Sequence, residues 1–461
     1  MLSKYGERFA DFSRRYIPNS MVFAFLMTLL VFILAITLTN SSLFTILEAW
    51  YQGMWQLLAF AMQVVIMLVL GYCIAVSAQF NRFIGLLARY LKTPRQVYFF
   101  IPLVGALLAL INWTWLILTA VLAREIAKKV KGIHYPYLMG ITYFSGLSWV
   151  SGVSSTVLLL LNTPDNYMIG NGVLADVLPA SLTLGSGINI AMIVFFVLIV
   201  PIICWALAPT ARKEHDLQNL MTASGASEQT TTIEKVAKFE FSDRLERGVA
   251  LPYAIVVAGL VYLIYYFSTY GFELNLNIVI FFFLILALLF HQTPAKFGAA
   301  IKEASSNVSG VIIQFPFYAG IMGIFTSTGL GVLFATTLSE AMTLDNYIFY
   351  AYGIGGVINF AIPGAGGEFA VIGPGILEAV KDLSAGLGPE ELNANLARAT
   401  LAISYGENCT NMLQPYFFMI FIIPIMGIGT KIQSKDIMGY LFIPFMLSVI
   451  FQLLILSFLP I

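Results

Sequence analysis

Two acidic residues, Glu368 and Glu407, stand inside long apolar stretches that contain no lysine or arginine. A bare carboxylate there costs several kcal/mol, so each acid must hold a proton, face a cation or be held by hydrogen bonds. Glu368 closes the run Asn359-Phe360-Ala361-Ile362-Pro363-Gly364-Ala365-Gly366-Gly367-Glu368. Here Pro363 removes a backbone donor, and Gly364, Gly366 and Gly367 let the backbone approach a ligand closely. Glu407 lies within Ser404 to Asn411, where Asn408, Thr410 and Asn411 supply amide and hydroxyl groups in place of Leu or Val. Two stretches of the first half carry similar groups without the acids: Asn112-Trp113-Thr114-Trp115, and Ser145 to Thr156 with Ser151, Ser154 and Ser155. Interrupted helices present free N–H groups of partial positive charge to a carboxylate, and unwound carbonyls and hydroxyls to Na+.

The candidate substrate-binding set is therefore Asn112, Trp113, Thr114, Ser151, Ser154, Ser155, Asn359, Pro363, Gly364, Gly366, Gly367, Asn408, Thr410 and Asn411. Glu368 and Glu407 are the candidate ion-coupling groups, and a candidate Na+ position falls near Asn112, Ser154, Asn359 and Thr410. Plainer readings stay open. A Gly-rich run also serves as a helix-packing surface. Serine and threonine in a span often bond back to their own helix, and a buried acid can be purely structural.

Hydrophobic residues make up 59% of the 461 and charged residues 10%, against roughly 45 to 50% and 25% in soluble domains. Runs such as Met21 to Leu38 are apolar on every side, so lipid or other helices must cover them. A net charge of zero offers no basic stripe for nucleic acid, and that partner is excluded. The expected fold is all-α, a polytopic membrane protein with apolar segments at 20–38, 55–78, 97–123, 136–161, 186–208, 250–267, 276–291, 306–336, 346–376, 399–424 and 439–459. A basic stretch before the first segment imitates a signal peptide, but no A-x-A-like site follows Leu38, so a retained first span is expected.

If every segment crossed the bilayer, Arg124, Lys128, Lys129 and Lys131 would face opposite to Arg82, Arg89, Lys92 and Arg95, against the positive-inside rule. Letting 97–123 turn near Asn112 and return as a re-entrant hairpin removes the conflict, as does a matching hairpin at 346–376 opening to the other side. All Lys and Arg except Lys381 and Arg398 then fall on the cytoplasmic side, with the N-terminus cytoplasmic and the C-terminus periplasmic. The segment order now repeats: 1–208 and 268–461 each hold two spans, a hairpin, a broken span and a last span. A cytoplasmic linker at 209–249 and a connecting span at 250–267 separate them and invert the second unit. Inverted repeats place substrate sites at their interface near the midplane. Ile111-Asn112-Trp113 echoes Ile358-Asn359-Phe360, and Gln63 echoes Gln314. Segments 79–95 and 292–305 read as interfacial amphipathic helices.

Cys73, Cys204 and Cys409 lack metal-ligand spacing and read as free thiols. His134, His215 and His291 lie near span ends, where interfacial or solvent positions are expected. No P-loop, H-E-x-x-H or Ser–His–Asp arrangement occurs in the apolar segments, so neither an ATP-driven pump nor a membrane-embedded enzyme is expected, and no cofactor is implied. A carboxylate symporter and a cation/proton exchanger both suit the two acids.

Several stretches resemble the bacterial short-chain fatty acid transporters: Gly53 to Gln63, Ile111-Asn112-Trp113 with Ala123-Arg124-Glu125, Gln314-Phe315-Pro316-Phe317-Tyr318-Ala319-Gly320-Ile321, Ile358 to Pro363, and Tyr405-Gly406-Glu407. The resemblance runs over nearly the whole chain. It implies uptake of butyrate- or acetoacetate-like monocarboxylates across the bacterial inner membrane, H+ or Na+ as the coupling ion, paired hairpins with elevator-like motion, and a homodimer. Glu368 departs from it, standing where some members carry His; an acid there repels a carboxylate unless a proton or cation neutralises it.

Overall fold

The structure, a computed structural model, describes residues 20–56, 58–80, 82, 86, 90–153, 155–162, 166–170, 172–210, 213–224, 241–271, 276–305 and 309–461. Among these every regular element is helical. In lipid each backbone N–H and C=O must find its partner within the segment, and a helix does this for an apolar run such as Ser20–Leu38. Six helices among the described residues are long and apolar enough to span a membrane, and a bent pair adds a seventh. The chain is a multi-pass membrane protein.

In the first half, α1 is Ser20–Leu38, α2 Leu43–Gln56 and α3 Leu58–Val76. Then come α4 Pro94–Ile111, a 3-10 turn at Trp113–Trp115, and α5 Leu116–Lys129. Helix α6 Tyr135–Gly146 runs through a 3-10 stretch, Leu147–Ser151, to the short α7 Thr156–Leu161, and α8 is Gly187–Ala206. A single helix, α9 Ala250–Tyr270, precedes the second half. That half contains α10 Leu276–His291, α11 Pro294–Ser305, α12 Ser309–Ser327, α13 Leu330–Ser339, α14 Tyr347–Ile358 and α15 Ala365–Leu383. Last are α16 Pro389–Thr410, α17 Phe418–Met426 and α18 Phe442–Phe458.

The chain folds back at Asn112. Gly105, before the turn, lies so close to α5 that a methyl group on it would stand 2.9 Å from the Thr119 side chain. The base of this pair is set by Thr93 and Gln96, which form a reciprocal capping box at the start of α4. Helices α14 and α15 make the corresponding pair. Their base is tied by the Tyr347 hydroxyl, which donates to Asn395 Oδ1 (3.2 Å), and by Asn395 Nδ2, which donates to Ser384 Oγ (3.1 Å). Close crossings then bring the helices together where glycines remove side chains: Gly355 and Gly406 let α14 and α16 touch backbone to backbone, and Gly53 and Gly323 do the same for α2 and α12. The two halves interlock reciprocally, α1 and α2 packing on α12 while α10 and α11 pack on α3.

Several expectations meet differences. The stretch 306–336 is two helices, because Gly329 adopts a left-handed conformation (φ +71°) between α12 and α13. Helix α16 starts already at Pro389, and a 64° bend separates it from α17. Arg124, expected in a cytoplasmic basic stretch, is buried. Its guanidinium donates to Ile425 O (3.1 Å) and Ile428 O (3.0 Å), closing the carbonyl end of α17. Arg398 does the same for α18, through Leu456 O (2.7 Å) and Leu459 O (2.9 Å). His134 is not solvent-exposed: it is fully buried, its Nδ1 accepts from the Tyr137 N–H at the start of α6, and its ring lies against that of His215 at 4.0 Å with a 46° tilt. Positions 81, 83–85 and 87–89 of the first interfacial segment, and 211–212 and 225–240 of the linker, lie outside the described residues; within the linker, Leu217–Ser224 and Phe241–Arg247 are helical.

Candidate functional site

The second hairpin and the second break meet in one buried hydrogen-bond network. Asn359, at the end of α14, donates through Nδ2 to Glu407 O (3.0 Å), Thr410 Oγ1 (2.9 Å) and Asn411 Oδ1 (2.9 Å). Asn411 Nδ2 donates to Glu407 Oε1 (3.0 Å), and Gln414 Nε2 donates to Asn411 Oδ1 (2.6 Å). The sequence singled out four of these five residues. Gln414 was missed, although it follows Asn411 by one helical turn in the same interruption. What the network leaves unsatisfied is acceptor capacity: Asn359 Oδ1, Glu407 Oε2 and Gln414 Oε1 have no partner among the described residues. Neither oxygen of the buried Glu368 has one, nor does the side-chain amide of Asn408. Glu368 and Glu407 lie within electrostatic reach of each other. Surplus acceptors without donors are the surroundings that a proton or a small hard cation completes.

The first half behaves otherwise. Ser151 Oγ shares a hydrogen bond with the Tyr405 hydroxyl (2.7 Å), which donates to Asn189 Oδ1 (2.6 Å), while Asn189 Nδ2 returns to Ser151 O (3.0 Å). The loop is closed, so Ser151 holds the first break to α16 and α8. Asn112 is buried in extended backbone at the end of α4. Ser155 sits at the start of α7 with its buried hydroxyl unpartnered. Ser154 lies outside the described residues, as does the Thr114 side chain.

Between the halves lies a cavity of about 290 Å³. Of the sequence-derived candidates, Trp113 from the first tip and Pro363, Gly364, Gly366 and Gly367 from the second line it. Six further aromatic rings stand in its wall: Tyr143 and Trp149 around the first break, Tyr318 on α12, and Tyr416, Phe417 and Phe421 beyond the second. The sequence does not single these rings out, because an aromatic residue in a membrane span carries no pattern that separates a wall from a core. Two of them keep free polar ends, the buried Tyr143 and Tyr318 hydroxyls having no partner among the described residues.

The N-terminus of α15 opens into the same cavity. Gly364 at its cap position supplies no side-chain hydrogen bond. Residues 365–367 therefore present backbone N–H groups that the helix cannot satisfy. Gly366 and Gly367 keep them uncovered: a methyl group on Gly366 would meet Thr156 Oγ1 at 3.7 Å, and one on Gly367 the Met322 sulfur at 3.4 Å. The nineteen-residue α15 directs its positive dipole end here. Among the described residues no Lys or Arg lines the cavity, and no cluster of three or more His, Cys, Asp or Glu could hold a metal. Open backbone amides beside apolar rings are the chemistry that suits a small anion with an apolar tail.

A family model described as "Short chain fatty acid transporter" matches residues 1–459. The chain belongs to the short-chain fatty acid transporter family. Two relatives provisionally named as short-chain fatty acid transporters support the membership. The Escherichia coli protein is 33% identical over 441 residues, covering 95% of this chain and 96% of its own length. The Haemophilus influenzae protein is 31% identical over 445 residues, with the same coverage of each. Among solved structures, the Alcanivorax borkumensis YdaH transporter aligns with 95% of this chain and 98% of its own, at 14% identity and a TM-score of 0.43. A short-chain fatty acid transporter is a membrane carrier and not an enzyme.

Proposed function

We propose that this protein is a secondary transporter carrying short-chain fatty acids or related small monocarboxylates, such as butyrate and acetoacetate, across the bacterial inner membrane with H+ or Na+ as coupling ion. The observation that carries this reading is the uncapped, glycine-flanked N-terminus of α15 opening into an aromatic-lined cavity near two buried carboxyls, Glu368 with both oxygens and Glu407 with one oxygen lacking a partner among the described residues. The substrate carboxylate accepts from the N–H groups of 365–367, where a helix N-terminus contributes about 0.3 to 2 kcal/mol. Its short alkyl chain lies on the rings, gaining about 25 cal/mol per Å² of apolar surface buried. With no guanidinium or ammonium at the site, the anion is held loosely enough to be released. Glu368 and Glu407 oppose its entry while charged, so a proton or cation on this pair favours substrate binding, and substrate favours the ion by the same factor.

Motion follows from the two-part build. The reciprocal packing of α1 and α2 on α12, and of α10 and α11 on α3, supports inverted repeats. The fold-back at Asn112 supports a hairpin that returns to its own side of the membrane. The hairpins and broken helices then travel as a gripping unit against a scaffold, in an elevator-like step within a homodimer, with the N-terminus cytoplasmic and the C-terminus periplasmic.

Uptake of labelled butyrate and acetoacetate into proteoliposomes under imposed pH or Na+ gradients tests the reading. Gradient-driven accumulation is expected. Cation flux without any organic substrate would instead make the protein a cation/proton exchanger, which the unpaired acids also suit. Single cysteines at positions 95 and 128 are expected to be labelled from the same side of the vesicle; labelling from opposite sides would overturn the re-entrant hairpin.

A further inference from the structure

A second, larger hollow lies away from the central cavity, an open cleft of about 680 Å³ where the start of α4 meets the end of α8. Its walls are apolar and unusually uncovered: Phe99, Ile202 and Trp205 are 39%, 50% and 46% exposed. In a multi-pass membrane protein such a surface faces lipid or another chain. Tyr90 at its rim is largely exposed, and of the polar groups deeper in the cleft two are committed elsewhere and one is not. Thr93 and Gln96 are spent on capping α4, Gln96 Oε1 accepting from the N–H groups of Lys92 (2.8 Å) and Thr93 (3.1 Å). The exception is Arg95, whose guanidinium lies 5.7 Å from the centre of the Trp205 ring. It has no carboxylate partner among the described residues, and no acidic residue lines the cleft. The indole restrains the cation through its π face while leaving the planar donors free, and such a fork suits a phosphate.

We propose that this cleft binds an anionic phospholipid, its phosphate on Arg95 and an acyl chain along Phe99, Ile202 and Trp205. The start of α4 and the end of α8 meet at the cleft, and in the proposed topology both stand at the cytoplasmic face. Tryptophan and arginine at a helix end mark the headgroup level, so the charge meets the phosphate while the rings below meet the acyl chain. A zwitterionic lipid satisfies the apolar wall but leaves less net charge for the guanidinium. The charge complementarity selects the anionic headgroup. Lipid here would wedge between the hairpin formed by α4 and α5 and the last span of the first half.

Native mass spectrometry of the full-length protein, released from vesicles holding equal phosphatidylglycerol and phosphatidylcholine, tests this. Retained phosphatidylglycerol is expected to exceed phosphatidylcholine by roughly fivefold, the factor for one basic residue at an anionic lipid surface. Arg95→Gln should bring that ratio close to one, and Trp205→Ala should lower it part of the way. Equal retention of the two lipids by the wild-type protein would overturn the proposal, as would an unchanged ratio in Arg95→Gln. Displacement of the lipid by millimolar inorganic phosphate would mark a free-anion site instead. Efficient disulfide crosslinking between copies carrying Phe99→Cys would mark a protein interface. If Arg95→Gln does not purify as a monodisperse species, the wild-type headgroup preference and the phosphate competition decide the matter.

Discussion

The two fold-backs of this chain occupy comparable places and have diverged in chemistry. At the first, Asn112 leads directly into the 3-10 turn Trp113–Trp115, and the nearby Ser151 is consumed in a closed circuit with Tyr405 and Asn189. At the second, glycines expose the start of α15, and an amide network ends in acceptors without a partner among the described residues. Satisfied polar groups rigidify; unsatisfied ones are places where a ligand gains more than water or protein already supplies. The contrast gives Ser151 a packing role and, under the proposed function, favours the second tip for binding and coupling, with Trp113 of the first tip supplying only a ring to the cavity wall.

The strongest way to break that assignment is Glu407→Gln. Gradient-driven accumulation is expected to fall by about 5- to 150-fold, the span of ordinary site-to-site coupling, while substrate exchange without a gradient continues. Accumulation at the wild-type level would remove the coupling role. Next in size is Gly366→Leu, which covers the open amides of α15 and should raise the uptake KM about tenfold with correct membrane insertion retained. An unchanged KM would move the carboxylate elsewhere.

A finer distinction is offered by Tyr143→Phe. Its hydroxyl is buried without a partner, so removing it should leave thermal stability equal or better, yet substrate affinity should drop about three- to tenfold if the hydroxyl serves the ligand. Loss of stability with unchanged affinity would make Tyr143 part of the frame. The smallest effect on transport belongs to Ser151→Ala: about 1 to 2 kcal/mol of stability lost, seen as earlier denaturant unfolding in detergent, with KM unaltered. A changed KM there would bring the first break back into the substrate site.

How much could be read beforehand differed between the same two regions. Asn359, Glu407, Thr410 and Asn411 stood out because amides, hydroxyls and an acid have no reason to interrupt a lipid-facing helix. Gly366 and Gly367 stood out through what they lack. Ser151 stood out equally and does a different job, since a polar group in a break can bind either a ligand or its neighbours. Tyr143, Tyr318, Trp149 and Phe421 gave no signal, and the burial of His134 and Arg124 was invisible from their positions near span ends.

Composition and periodicity alone determined that this is an all-helical, multi-pass membrane protein, because lipid leaves the backbone of an apolar chain few other ways to satisfy its hydrogen bonds. They also marked where helices must break, since glycine, proline and clustered polar groups weaken a span locally. Which breaks meet, which hydroxyls are consumed and which rings close around a hollow was decided only in three dimensions. Those outcomes depend on contacts between residues as far apart as Ser151 and Tyr405, and no local pattern encodes the partner a side chain will find.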